Sequence, residues 1–240
     1  MKIGFFTDTY LPNTDGVVSQ IIASKKELEK RKHHVHIFTP GTLQEKKSNR
    51  DKTVTYYEGV KFPLYPQYKL AIFPYSSAIE AKNLEIELVH CHALAIMSLA
   101  SIFAAKTLGL PLIGTFHTMI PLTTRYLTPN KKAQEILSSA AWKAIKALYT
   151  PFDVVTAPSH CIAKLLKQHG VRNVKVISNG IETDKFNTTV SGAKTRRQIG
   201  VKKGEKLFLY VGRVSEEKNV DVVVKAFVNL KRRNAKLAIV

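Results

Sequence analysis

Four side chains and one glycine stand where chemistry could be done. In TDGVVSQ, Thr14 to Gln20, an acid precedes a lone glycine: Asp15 and Gly16 lie between an apolar run, KIGFF, and a helical pattern. Phosphate-binding loops occupy that position. With one glycine and no lysine, however, the stretch is neither a P-loop nor a GxGxxG dinucleotide turn. His117, in GTFHT, ends another apolar run, where a neutral imidazole can bond a hydroxyl through either nitrogen. Arg213 and Lys218, in VGRVSEEKN, follow a glycine and stand five residues apart. A guanidinium and an ammonium can neutralise the negative charge that develops on a leaving group, without a metal. Each feature also has a plainer reading: a strand-to-helix turn, a satisfied core histidine, two solvated cations among 37. His90 and His92, in LVHCH, alternate along a strand and are expected on opposite faces, which argues against a shared metal site.

The elements that must position these residues alternate between strand and helix. KIGFF reads as a buried strand, and VVSQIIASKKELEKRKH carries Val17, Val18, Ile21, Ile22 and Leu28 at helical spacing. HVHIFTPG is a second strand; TVTYYEG and VKFPLYP are short strands or extended loops. A helix is expected over Ser76–Asn83, a strand through LEIELVHCH, and a helix in ALAIMSLASIFAAKTLG with Gly109 as its C-terminal cap. The strand LPLIGTFHT, a helix over Lys131–Leu148, the strand DVVTAPS, the helix HCIAKLLKQHG and the strand VKVISNG follow. Continuous apolar strands between helices point to an α/β fold, a parallel sheet covered on both faces. Such sheets bind ligands at the carboxyl ends of their strands. TDGVV, HCH, TFHT, APS and SNG all fall there.

Polar, turn-rich residues 182–205 read as a linker between a first Rossmann-like domain, residues 1–181, and a second, residues 206–240. The second has only a strand, a loop, a helix and a strand that stops at Val240, so the chain is expected to be cut inside that domain. No apolar run approaches the roughly 18 residues of a membrane span, and the sequence opens on a strand rather than a leader. Cys91 and Cys161 are expected to be buried free thiols, as suits a cytoplasmic protein. The formal net charge is +19, unevenly spread. Residues 1–120 hold 14 Lys and Arg against 10 Asp and Glu, whereas residues 121–240 hold 23 against 8. Such an excess implies an anionic partner or surface. No recognition motif or aromatic platform accompanies it, so a specific nucleic-acid partner is not expected.

FFTDTYLPNTDGVV, LVHCH, GTFHT, VVTAPS, VISNGIETDKF and LYVGRVSEEKN, in this order and spacing, resemble the large retaining glycosyltransferase family of GT-B fold. The resemblance covers nearly the whole chain. It implies transfer of a hexose from a UDP- or GDP-hexose to an acceptor, with retained configuration and no metal or other cofactor, the nucleotide-sugar being a co-substrate. Many such enzymes glycosylate membrane lipids, so diacylglycerol or phosphatidylinositol is the expected acceptor. A soluble acceptor, or a non-catalytic sugar-phosphate-binding protein on the same fold, stands as the alternative. In the family the loop after the first strand closes over the donor diphosphate. Gly16 would let the backbone approach it, and the following helix would aim free amides at the phosphates. Asp15 would repel phosphate and so suits an acceptor hydroxyl. His117 would contact the transferred sugar, and Arg213 with Lys218 would face the cleft and the leaving group. The family's later glycine-rich loop and glutamate pair do not occur before Val240, so this chain alone is expected to be inactive.

One helix bears on the acceptor. KKAQEILSSAAWKAIKALY places Lys132, Lys143 and Lys146 near one side, with Leu137, Ala141 and Leu148 on another, and adds Trp142 and Tyr149. This is the pattern of an interfacial segment, and equally of a helix that packs its apolar stripe on the sheet and solvates its lysines. The helix by itself favours packing. The charge of the second half favours peripheral attachment to an anionic membrane, on its inner face.

Overall fold

The structure, a computed structural model, describes residues 1–62, 65–72, 74–124, 128–231 and 234–240. In chain order the first 180 residues give β1 (Lys2–Phe6), α1 (Gly16–Lys30), β2 (His34–Gly41), α2 (Leu43–Ser48), β3 (Val54–Phe62), β4 (Tyr65–Ala71), α3 (Ser76–Asn83) and β5 (Leu88–Cys91). They continue through α4 (Ile96–Leu108), β6 (Leu112–Thr115), α5 (Ile120–Thr123), α6 (Lys131–Tyr149), β7 (Val154–Ala157), α7 (His160–Gln168) and β8 (Val174–Val176). The strands form one sheet in the order β4-β3-β2-β1-β5-β6-β7-β8. Every neighbouring pair is parallel except β3 and β4.

Both faces of the sheet are covered, which is why the strands read as unbroken apolar runs. Adjacent Phe5 and Phe6 of β1 go to opposite faces. Phe5 lies with Ile3, Val35 and Ile37 and with Val18 and Ile21 of α1. Phe6 stacks on Phe38 at 4.5 Å and joins the larger cluster that holds Met97 and Ala104 of α4. Gly109 ends α4 with φ 64°, a left-handed cap that glycine adopts without a Cβ penalty. Gly114 of β6 serves close approach instead. A Cβ there would meet the rings of Phe152 and Tyr149 at 2.8 Å.

Two expectations change, and one open alternative closes. Residues 54–62 are one strand, β3, paired antiparallel with β4, not two short pieces broken at Gly59. That glycine makes room rather than a turn, since a Cβ would lie 3.0 Å from Pro40 and 3.1 Å from the Leu70 carbonyl. In α6 the aromatic residues belong to the core: Trp142, Ile145 and Tyr149, at helical spacing, are its buried stripe. Trp142 stacks on His169 at 3.9 Å, whereas Ile136 and Leu137 are exposed. Cys91 is buried as expected, but Cys161, in the first turn of α7, is exposed.

Contacts divide the chain into two compact units, Met1–Gly180 and Ile181–Val240. The second holds α8 (Ala193–Gln198), within the stretch read as a linker, then β9 (Lys206–Tyr210), α9 (Val220–Asn229) and β10 (Ala235–Ile239). β9 and β10 pair in parallel, and Phe208 meets Phe227 edge to face at 5.7 Å.

Candidate active site

The loops at the carboxyl ends of β1, β5 and β6 bring Asp8, Asp15, His92 and His117 onto one edge of the first sheet. Asp8 organises it. Its Oδ2 accepts from the amides of Leu94 and Ala95 at 2.9 and 2.8 Å, and its Oδ1 from Met97 at 3.2 Å. One carboxylate thereby caps α4 and ties the loop carrying His92 to the end of β1. Burial raises the Asp8 pKa above the usual carboxylate value, against the three amides that lower it. Sequence reasoning passed over Asp8; its signal was an acid placed directly after a buried strand.

Asp15 is the N-cap of α1. Its Oδ1 accepts from Val17 and Val18 amides, both at 2.9 Å, and its Oδ2 from Thr9 Oγ1 at 3.2 Å. These bonds correct the expectation of free helix amides aimed at phosphate, because the side chain of Asp15 already fills two of them. The Gly16 amide has no partner among the described residues. A Cβ on Gly16 would meet nothing within 4 Å, and its φ is not left-handed. Glycine is therefore not required there by the fold. Asp15 keeps acceptor capacity on Oδ2, which takes a single bond.

His92 and His117 are joined, His92 Nδ1 to His117 Nε2 at 3.0 Å. Instead of pointing to opposite faces, the His90 and His92 rings lie 4.1 Å apart with 32° between planes. The reason is local. β5 ends at Cys91, so the alternation that assigned the faces stops one residue short of His92. His90 Nε2 bonds Thr115 Oγ1 at 2.7 Å, which in turn meets Thr156 Oγ1 at 2.7 Å, and Phe5 packs on both His90 and His92. Burial holds all three imidazoles neutral. It pushes His90 down to about 3 and His117 to about 4, and His92 well below its ordinary value. The nearby Asp15 charge opposes the shift at His117 without overcoming it. The structure thus places Asp15 beside a half-buried, uncharged His117. Such a pair can orient hydroxyl groups, and carries no imidazolium to meet an anion.

Arg213 and Lys218 sit in the loop between β9 and α9 of the second unit, at the carboxyl end of its strand pair. Gly212, at φ 150°, turns the chain there, and its amide donates to the Val240 carbonyl at 2.9 Å. Arg213 is exposed and pairs with Glu217 at 2.9 Å. Lys218, also exposed, has no acidic partner among the described residues. Between them Ser215 Oγ is buried without a hydrogen-bond partner among the described residues, a polar group that the sequence did not single out. Among the described residues no three His, Cys, Asp or Glu side chains are grouped to hold a metal ion.

Residues 14–185 match the family described as Glycosyltransferase Family 4, and residues 192–240 match Glycosyl transferases group 1. The chain is 32% identical to an alpha-monoglucosyldiacylglycerol synthase of Streptococcus pneumoniae, over all of this chain and 55% of that protein. It is 24% identical to the enzyme of the same name from Acholeplasma laidlawii, over 95% of this chain and 59% of that one. It therefore spans little more than half the length of these curated relatives. Its fold is like that of Anabaena Alr3699/HepE, solved with UDP-glucose, with a TM-score of 0.70 at 19% identity over 100% of this chain and 60% of that one. The sucrose-phosphate synthase of Thermosynechococcus elongatus gives 0.68 at 17% identity, over 99% and 61%. These likenesses fix the fold as an α/β fold of GT-B type, and the matched length of sequence fixes the kinship: the chain belongs to Glycosyltransferase Family 4.

Proposed function

We propose that the whole protein is a metal-independent, retaining hexosyltransferase that moves a sugar from a UDP- or GDP-hexose to a membrane lipid such as diacylglycerol. The observation that carries this reading is the neutral His92–His117 pair beside Asp15, on the edge where parallel sheets bind ligands. His117 bonds a hydroxyl of the transferred sugar. Asp15, through Oδ2, takes the acceptor hydroxyl, and the exposed backbone at Gly16 lies against the donor. Arg213 and Lys218 neutralise the departing diphosphate in place of a metal. Family membership and the name of the Streptococcus relative support the lipid acceptor. Because relatives are longer, activity is assigned to the whole protein, and residues 1–240 alone are expected to be inactive.

Charge supports attachment to the membrane. Lys143 and Lys146 on α6, Lys164 and Lys167 on α7, Arg172 after it and Lys175 on β8 are exposed, with no acidic partner among the described residues. Lys143 and Lys146 line an open groove of about 880 Å³ beside His169. No helix among the described residues is long and apolar enough to cross a membrane. With Trp142 and Tyr149 in the core, attachment is electrostatic and not by inserted aromatic side chains. The test uses full-length protein, a panel of UDP- and GDP-hexoses, and diacylglycerol vesicles or soluble acceptors, with and without chelator. No turnover of any donor would end the enzyme reading, and turnover on soluble acceptors alone would end the lipid reading. Vesicles containing anionic lipid should retain the protein at low salt and release it as salt rises, neutral vesicles holding little.

A further inference from the structure

His92 has a nitrogen to account for. The ring is 6% exposed, and its Nε2 is buried without a hydrogen-bond partner among the described residues. Its other nitrogen, Nδ1, faces His117 Nε2 at 3.0 Å. A neutral imidazole has one N–H and one lone pair. Two neutral rings in contact through one nitrogen each must share a single hydrogen, so only two arrangements exist. In the first, His92 Nδ1–H donates to His117 Nε2, His117 carries its hydrogen on Nδ1, and the buried His92 Nε2 is a lone pair. In the second, His117 Nε2–H donates, and His92 must hold its own hydrogen on Nε2, as a buried N–H with nothing to receive it.

The surroundings choose between them. Buried N–H groups without an acceptor are among the rarest defects in folded proteins, and an unmatched acceptor is better tolerated. The neighbours of the His92 ring are the rings of Phe5, His90 and His117. Among these, His90 Nε2 is already committed to Thr115. His92 has little room to turn, because Phe5 and His90 pack on its buried ring and its backbone is held as well. Its amide donates to the Phe6 carbonyl at 2.7 Å, and the next residues are held by Asp8.

We propose that His92 is a positioning residue that fixes His117 in its Nδ1–H tautomer, so that His117 meets its ligand as a hydrogen-bond donor and not as a base. Nδ1 has no protein partner among the described residues, and His117 is only half-buried, so the N–H is left for an oxygen lone pair of the ligand. This rests on the proposed function only in naming that oxygen a sugar hydroxyl. It adds that His117 cannot accept a proton during transfer, and that the rarer tautomer of a free imidazole side chain is selected by a neighbour the ligand never touches.

The test is spectroscopic. Full-length protein labelled with ¹⁵N at histidine is examined at neutral pH by long-range ¹H–¹⁵N correlation, with His117 identified from the signal lost in His117→Gln. His117 should show a protonated Nδ1 and a bare Nε2. His92→Asn, whose amide N–H can stand where Nδ1–H stood, should keep that signature; His92→Phe should lose it to a mixture of tautomers. A wild-type His117 protonated on Nε2 would overturn the inference, as would a His92→Phe spectrum identical to wild type. If His92→Phe does not fold, the wild-type and His92→Asn spectra still decide. Turnover is not part of this readout, so an inactive protein with the expected spectrum would defeat the proposed function and leave the tautomer standing.

Discussion

Acid should unfold the first unit through its histidines, at a pH where most carboxylates are still charged. Burial lowers His36 to about 4, His90 to about 3, His117 to about 4, and His92 well below its usual value. In the unfolded chain each returns to about 6.5. Between about pH 6.5 and pH 4 these four histidines therefore bind more protons in the unfolded state than in the native one, while Asp8, whose pKa burial raises, works in the opposite direction. Stability is whole above the unfolded value and is lost as pH falls through that window. For one fully buried group with a native pKa near 4, the loss at pH 5 is roughly 2 kcal/mol. His36, His90 and His117 keep some solvent contact, and the three edge histidines repel one another once charged, so the four do not simply add. A combined loss of about 4–6 kcal/mol is still comparable to the whole stability of an ordinary domain. Trp142, the only tryptophan, lies in the core of this unit and reports its unfolding by fluorescence. Urea titrations at pH 8, 7, 6 and 5 should give a stability that falls steeply below pH 6.5. His92→Asn removes one titrating group, so its slope near pH 5.5 should be shallower by about 1.4 kcal/mol per pH unit, close to one proton. Equal stability at pH 7 and pH 5, or equal slopes in the two proteins, would refute the argument.

In the full-length protein, Arg213→Ala and Lys218→Ala should each lower turnover more than acceptor binding, by about 2–4 kcal/mol in the transition state; unchanged turnover in both removes the leaving-group role. Cys161, exposed, should react with a maleimide in the native protein, whereas Cys91, buried and with its thiol pushed up to about 12, should react only after unfolding. Mass spectrometry of the labelled chain separates the two, and native labelling of Cys91 would contradict its packing. Gly114→Ala must push a methyl group into Phe152 and Tyr149, and should cost roughly 1–3 kcal/mol in chemical denaturation. A neutral result would mean that β6 and the α6–β7 turn can move apart.

What could be read from the sequence was whatever a short window contains. Ser76–Asn83 and His34–Gly41 coincide with α3 and β2, and Gly109 caps α4 as its position suggested. Helix α2 was legible and passed over: Thr42 and Glu45, three apart, form a reciprocal capping box. The antiparallel β3–β4 pair was not legible in the same way. Gly59 looks like a turn in a local reading, and only Pro40 and Leu70, brought beside it by the sheet, show that it is a gap left for neighbours. Trp142 and Tyr149 were ambiguous for a related reason. A tryptophan on a basic helix suits a bilayer and a core equally well, until a partner ring such as His169 appears beneath it.

The site was half legible, and the missing half is the part that sets its chemistry. His117 and Asp15 could be singled out because each ends or begins an element, and position relative to an element is a local property. Their electrostatic state is not. His117 is uncharged because it is buried where β5 and β6 bring it against His92, a ring itself packed by Phe5 and His90. That convergence is held by Asp8, 84 residues before His92, through amides that any sequence would supply. Backbone donors leave no trace in residue identity, so the acid that fixes them looks like an ordinary polar residue after a strand. The consequence for function is specific. Replacing Asp8 would release the loop that carries His92, readmit water, and let His117 titrate near its ordinary pKa, although Asp8 and His117 share no contact among the described bonds.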